Sequence, residues 1–390
     1  MVLHESVALL LVVLAAAGLP LLGRYVRLPG AVLEIVFGII LGKSFLNLTI
    51  AGDWLPLLAN LGFLLLMFHA GMEIDFGTLR GQSKGNLAFH FLFLGCTVGL
   101  AVLFARLLGQ GVFIALVLST TSLGLVLPTL MELNQTRTPH GQWILIASTL
   151  ADFLTLLGIT LFLLWHRHGF DWRFLSPLPL FLGFALVLRL VRLWAWWNPD
   201  KVERILASTD SQELGVRFSL ALLFLFVALS EFVHLEPVLG AFLGGTVLSW
   251  VFREKGQLDD KLSGMAFGFL IPIFFIHVGM NFDLHSIFSW SQILFTLKLL
   301  VLALGVKVLP SLLLTLRGYS FKGAVRTGVI LSTRLSLIVA AASLGAGAGL
   351  MTTAMKDAVI LLAILTCMLG PSLYKAMSRD DAEATKFAKS

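Results

Sequence analysis

Asp152 stands at the middle of an otherwise apolar run, WILIASTLADFLTLLGITLFLLW, from Trp143 to Trp165. A charged side chain at the centre of a hydrocarbon layer costs roughly 2.5–3.5 kcal/mol on insertion scales, so an acid kept there has a use: exchanging a proton or pairing with positive charge. Three bases, Lys298, Lys307 and Arg334, are stranded in other apolar runs. Nine residues separate Lys298 from Lys307, which at about 100° per residue turns them to opposite faces of one helix. At most one of them readily faces Asp152. Hydroxyls supply neutral donors: Ser119-Thr120-Thr121-Ser122 form a polar cluster in a further apolar run, and Ser148 lies one turn before Asp152 on the same face. The plain alternative for such hydroxyls is a bond to their own helix carbonyls. Glu34, Glu73, Asp75 and Asp283 fall at or near the ends of apolar runs, where contact with water is the default, and they are weaker candidates. No HExxH word and no paired acids within apolar runs occur, the GxSxG word Gly81-Gln82-Ser83-Lys84-Gly85 falls in a polar stretch between apolar runs and follows no strand, and neither does the glycine run Gly345 to Gly349, so hydrolytic and phosphate-loop chemistry has no footing.

The elements that must position these residues follow from composition. With 58% hydrophobic and 13% charged residues and a mean hydropathy of +0.93, the chain has too little polar surface for a water-soluble domain. Spans of about 20 residues are expected at 4–22, 31–50, 55–76, 86–108, 111–132, 141–165, 175–195, 213–232, 236–252, 264–283, 288–316, 321–347 and 353–377, thirteen in all. Of the 28 Lys and Arg residues, 20 fall in loops after odd-numbered spans and in the C-terminal tail, five on the other side, and three within spans. Basic loops stay in the cytoplasm, so the N-terminus is expected outside and the C-terminus inside. This bias accounts for the net charge of +6 and leaves no case for nucleic acid. The first span has neither a basic n-region nor a cleavage site before Arg24, so it reads as a retained span.

An internal repeat gives the architecture. His69-Ala70-Gly71-Met72-Glu73-Ile74-Asp75 recurs as His277-Val278-Gly279-Met280-Asn281-Phe282-Asp283, and Leu118-Ser119-Thr120-Thr121 recurs as Leu331-Ser332-Thr333-Arg334. Both pairs are seven spans apart, and an odd offset means that the copies cross the membrane in opposite directions. The expected organisation is therefore a first six-helix repeat over 1–166, a connector over 167–212, a second, inverted repeat over 213–378, and a cytoplasmic tail over 379–390. Inverted repeats are typical of secondary transporters that bind their substrate near the midplane. By span limits Thr121, Asp152 and Arg334 share that depth. Gly124 and Pro128 weaken the helix around the Ser-Thr cluster, so it can break where its carbonyls line a cavity.

These residues resemble the monovalent cation:proton antiporters, in the branch of the glutathione-gated potassium efflux systems and the bacterial sodium/proton antiporters. The resemblance runs over nearly the whole chain. It is carried by Leu28-Pro29, Leu33-Glu34-Ile35, Gly71-Met72-Glu73-Ile74-Asp75 with Leu79-Arg80, Thr138-Pro139-His140-Gly141, Asp152, Leu239-Gly240-Ala241-Phe242-Leu243-Gly244-Gly245, and Pro272-Ile273-Phe274-Phe275 with Val278-Gly279-Met280. It implies an all-α membrane protein with two crossed, interrupted helices in a mobile core bundle, an essential acid at Asp152, a lysine at Lys307 and a dimerising scaffold in a bacterial inner membrane. The transported Na+ or K+ and H+ are then the only small partners, with no cofactor. Ala151 departs from the Asp, Asn or Gln that usually precedes the essential acid, and Lys43 replaces a usual proline. No fused nucleotide-binding regulatory domain is expected after the last span. On this resemblance proton and cation compete for Asp152, with Thr120, Thr121, Ser122 and Ser148 as further ligands and Lys307 and Arg334 compensating charge. One carboxylate that holds one proton or one monovalent cation gives electroneutral one-for-one exchange, whereas release of a proton by Lys307 in each cycle would make exchange electrogenic. A cation channel or an organic-anion symporter on the same fold is the alternative, separated from an antiporter by proton coupling and by competition between cations.

Overall fold

The computed structural model describes residues 2–3, 5–26, 29–50, 54–74, 83–136, 138–169, 177–198, 213–251, 256–283 and 289–387. Asp75 and the Leu79-Arg80 pair, Leu28, and the loop bases Arg27, Arg137, Arg173, Lys201, Arg204, Arg253, Lys255 and Lys389 lie outside the described residues. Among the described residues the regular structure is helical apart from a two-residue parallel pairing of Val2–Leu3 with Thr49–Ile50.

In chain order the helices are α1 (Glu5–Val26), α2 (Gly30–Leu41), α3 (Trp54–Met72), α4 (Lys84–Leu107), α5 (Val112–Ser119), α6 (Leu123–Glu132), α7 (Pro139–His168), α8 (Pro177–Trp197) and α9 (Leu214–Phe232). They continue as α10 (Pro237–Val251), α11 (Gly256–Met265), α12 (Ile271–Met280), α13 (Trp290–Ser311), α14 (Phe321–Leu331), α15 (Ser336–Gly347) and α16 (Thr353–Phe387). A wider π turn, Ala266–Leu270, joins α11 to α12, and a tighter 3-10 turn, Leu312–Arg317, extends α13.

Among the described residues nine helical stretches are long and apolar enough to cross a membrane, and the α14–α15 pair, bent by 48°, makes a tenth. Three further apolar stretches, Leu9–Gly23 within α1, Gly30–Leu41 and Pro237–Val251, fall at the other expected spans and are shorter than these. The expected span over 31–50 stops early because Gly42 turns the backbone extended after Leu41 and Asn47 takes a left-handed φ of 45°.

The chain forms two compact units, each made of two stretches. One comprises Met1–Phe76 and Thr160–Phe282, the other Gly77–Ile159 and Asp283–Ser390. In the first, α2 crosses α12 at two glycines. A Cβ on Gly38 would run into the Ile276 carbonyl, and one on Gly279 into that of Ile35, so only glycine permits the approach. Val12, Leu55, Ala59, Ile273 and Met280 pack around this contact. The repeated histidine motif ends α3 and α12 with the same turn. Glu73 N donates to His69 O (3.0 Å) and Asn281 N to His277 O (3.2 Å), and the next residue of each copy closes on Gly71 or Gly279.

In the second unit, Phe93, Val126, Leu130, Ile144, Ala147, Ile330 and Tyr374 bring α4, α6, α7, α14 and α16 into one core. Serine caps start three of its helices: Ser83 Oγ accepts from Asn86 N, Ser289 Oγ from Gln292 N and Ser320 Oγ from Gly323 N. Gly328 lets α14 press against the backbone of α13 at Val308.

Candidate functional site

Both interrupted helices unwind in the same way. The first half of each ends with a three-residue turn, Thr120 N to Val117 O (3.3 Å) and Thr333 N to Ile330 O (3.1 Å). The second half of each opens with Val126 N on Ser122 O (3.1 Å) or Val339 N on Leu335 O (3.2 Å). The residues between are Thr120, Thr121 and Ser122 in one helix and Ser332, Thr333, Arg334 and Leu335 in the other. The chain does not break at Gly124 or Pro128, which both lie inside α6.

An interrupted helix leaves carbonyls without intrahelical partners at the end of its first half and amides without them at the start of its second. Their aligned dipoles make the first end partly negative and the second partly positive. The break between α5 and α6 is met by side chains of matching charge. Arg334, fully buried, donates from Nε to Thr120 O (3.0 Å) and from Nη2 to Leu118 O (2.7 Å) and Ala303 O (2.9 Å). Lys307, fully buried too, donates from Nζ to Ser119 O and to Thr121 Oγ1, both at 2.7 Å. Thr121 Oγ1 in turn donates to Leu331 O (3.2 Å) at the end of α14, so one hydroxyl joins the two breaks. At the positive end, Leu123 N donates to Asp152 Oδ2 (3.0 Å).

The acid, the two bases and the hydroxyls expected to act together therefore meet at one place within one unit, with Asp152 supplied by α7, Lys307 by α13 and Arg334 by the second break. Their pairing differs from simple neutralisation. Among the described residues no ion pair joins Lys307 to Asp152; the ammonium is spent on the carbonyl and hydroxyl of the break and acts on the carboxylate through space. Asp152 is partly buried, and its second oxygen, Oδ1, is buried without a hydrogen-bond partner. Arg334 Nη1 and Thr333 Oγ1 are likewise buried and unpartnered. A buried polar atom with no partner costs on the order of 1–3 kcal/mol, more when charged. Sites for a ligand or water account for such atoms.

The hydroxyl candidates divide. Thr121 is a node of the network, whereas Ser119, Thr120 and Ser148 donate to their own helices, at Ala115 O (2.8 Å), Val117 O (2.7 Å) and Ile144 O (2.9 Å). Their oxygens can still accept or coordinate. Ser122 is buried at the N-terminus of α6 and makes no side-chain cap bond there. Lys298 lies on an exposed face of α13, away from this site. Glu34, buried on α2, and Glu73, at the end of α3, belong to the other unit.

Two buried acids were not among the expected candidates: Glu236, which pairs with Arg167, and Asp357. Asp357, near the start of α16, is fully buried; its Oδ1 lies 3.4 Å from Lys356 Nζ, and its Oδ2 accepts from Asp283 N (3.3 Å). Its signal was the acid in TAMKDAVILL, masked by the adjacent lysine that reads as a loop base. It ties the backbone of Asp283 to α16. Among the described residues no group of three or more His, Cys, Asp or Glu side chains is placed to hold a metal ion.

The comparisons with known proteins agree with this architecture. The protein YjbQ of Bacillus subtilis is 33% identical over 97% of the chain, and the chain spans 64% of the length of that relative. The Na+/H+-K+ antiporter GerN of Bacillus cereus is 26% identical, with 93% of each protein covered. The solved structure of the sodium proton antiporter MjNhaP1 from Methanocaldococcus jannaschii has the same fold, with a TM-score of 0.70, 15% identity, and 96% of this chain and 97% of that one covered. The family described as "Sodium/hydrogen exchanger, transmembrane" matches residues 9–379. The chain is thus an integral membrane protein of a transporter family, and belongs to the transmembrane sodium/hydrogen exchangers.

Proposed function

We propose that the protein exchanges a monovalent cation, Na+ or K+, for H+ by alternating access, and that the two ions compete for Asp152. The observation that carries this is the state of the carboxylate: one oxygen is held by the Leu123 amide, while the other is buried with no partner beside an unwound backbone. A carboxylate so placed accepts either a proton or a hard cation, and backbone carbonyls and hydroxyls at a broken helix are the donors that hard monovalent ions take. Lys307 and Arg334 compensate the partial negative charge at the end of the first half of the break. One acid that holds one proton or one monovalent cation gives electroneutral exchange. The name of GerN carries both sodium and potassium, which keeps both as substrates to test.

The wider assembly belongs to the same proposal. The chain is organised as two inverted repeats, 1–166 and 213–378, joined by 167–212. It works as a homodimer in a bacterial inner membrane, with the N-terminus outside and the C-terminus in the cytoplasm. The matching turns of the two histidine motifs and of the two breaks support the repeat. The bias of basic residues supports the orientation.

The test is cation-induced collapse of a pH gradient in proteoliposomes, with sodium, potassium and lithium given separately to wild type and Asp152→Asn. Exchange in the wild type that is absent from Asp152→Asn supports the proposal and ranks the ions. A wild type inert to all three cations, or an active Asp152→Asn, overturns it.

A further inference from the structure

We infer a second binding site in the same unit as Asp152, built for a small anion that carries a flat heteroaromatic ring. A cavity of about 300 Å³ opens among Asn86, Phe89, Gln142, Trp143, Arg317 and Tyr319. This volume lies at the lower end of the range for small-ligand sites, and ring faces with a few convergent polar groups are the usual lining of such sites. An apolar packing void would be lined by aliphatic side chains and dry; Asn86, Gln142 and Arg317 line this one.

The walls are braced. The Trp143 ring stacks on His90 with centroids 4.9 Å apart and is met edge-on by Phe93 at 5.2 Å, and Tyr319 rests against His140 at 5.1 Å. Arg317 is positioned before any ligand arrives. Its Nη1 donates to Asn86 Oδ1 (2.9 Å), its Nη2 to Gly85 O (3.0 Å), and its guanidinium lies 4.6 Å above the Phe89 ring. Those two bonds use two of its five N–H donors, and the remainder of an exposed, oriented guanidinium is suited to a carboxylate or phosphate. Gln142 spends its amide N–H on Thr136 O and keeps Oε1 to accept from a ring N–H. The half-buried Tyr319 ring for stacking, an amide oxygen for a heterocycle edge and a guanidinium for the anion select one ligand class in which all three are used together.

The cavity bears on the ion site through the chain. Its wall is formed by the start of α7, which carries Asp152 nine residues beyond Trp143, and by the turn after α13, which carries Lys307 ten residues before Arg317. A ligand there ties these two helices together and so alters exchange. This last clause rests on the proposed function; the binding itself does not. In the orientation proposed above the cavity faces the cytoplasm.

The experiment is thermal unfolding of the purified full chain in detergent with adenosine 5′-monophosphate as the probe, beside adenosine, inorganic phosphate and a short-chain phosphatidic acid. The expected result is a raised midpoint with the nucleotide, a smaller rise with either half alone, loss of the rise in Arg317→Gln and Tyr319→Leu, and retention in Asp152→Asn. Because Tyr319→Leu keeps the guanidinium and its bonds, it serves where Arg317→Gln does not fold. No rise with the nucleotide, or an equal rise in Arg317→Gln, overturns the site. An equal effect of phosphate, or an effect of phosphatidic acid alone, overturns the ring-bearing ligand. Failure of exchange with binding intact overturns the proposed function and leaves this site standing.

Discussion

Thr121 is the residue on which the two breaks depend together. Its hydroxyl accepts a hydrogen bond from Lys307 Nζ and donates one to Leu331 O, so Thr121→Val strips a buried ammonium of one of its two acceptors. Hydrogen bonds to charged groups contribute about 1.5–3 kcal/mol. The expected outcome is a loss of that order, read as a lower unfolding midpoint in detergent, with slower exchange. A Thr121→Val protein as stable as wild type would remove Lys307 from the account of the break. Arg334→Lys tests geometry at constant charge. The guanidinium spreads over three carbonyls on two helices, which a single ammonium cannot span. Exchange is expected to fall at least tenfold, as far as in Arg334→Ala, whereas near-normal exchange in Arg334→Lys would show that only the charge matters. These partners could not be found from the sequence. Asp152, Lys307 and Arg334 were legible because a charge in an apolar run stands out. That Lys307 serves a carbonyl instead of the acid was not legible, since the acceptor lies 188 residues away along the chain.

At the scale of elements, periodicity and apolar length located most helices to within a few residues. Two kinds of feature escaped them. The break after α5 falls at Thr120 to Ser122 and not at the glycine or proline that follows, because buried cations hold the freed carbonyls there. Sequence signals for helix breaking describe the local chain alone. The span over 31–50 shortened because Gly42 and Asn47 turn the backbone, although the residues around them are apolar. Close helix crossings offer a paired test. A methyl group on Gly38 would meet the backbone of α12, whereas one on Gly95 would meet nothing within 4 Å. Gly38→Ala is expected to destabilise by about 1–3 kcal/mol through overpacking, and Gly95→Ala to stabilise by roughly 0.5–1 kcal/mol through helix propensity. Unfolding midpoints of the two variants, measured side by side, check this; equal shifts would mean that the glycine crossing does not set how near the helices come.

For the whole molecule, orientation and ion competition are the claims with most at stake. With the native Cys96 and Cys367 replaced by Ala, Ser390→Cys should react with a membrane-impermeant maleimide only after the cytoplasmic side is opened; labelling of intact cells would invert the proposed topology. Competition has a sharper signature. If proton and cation share Asp152, the apparent Km for the cation must rise as the pH falls, approaching about tenfold per unit once the protonated form dominates, while the maximal rate at saturating cation changes little from that cause. The most direct measurement is therefore the Km of cation-driven exchange in proteoliposomes, taken at several pH values held equal on both sides, for wild type and Asp152→Asn. The account predicts a Km that climbs with acidity in the wild type and no exchange in Asp152→Asn. A Km indifferent to pH, together with exchange that survives in Asp152→Asn, would contradict it.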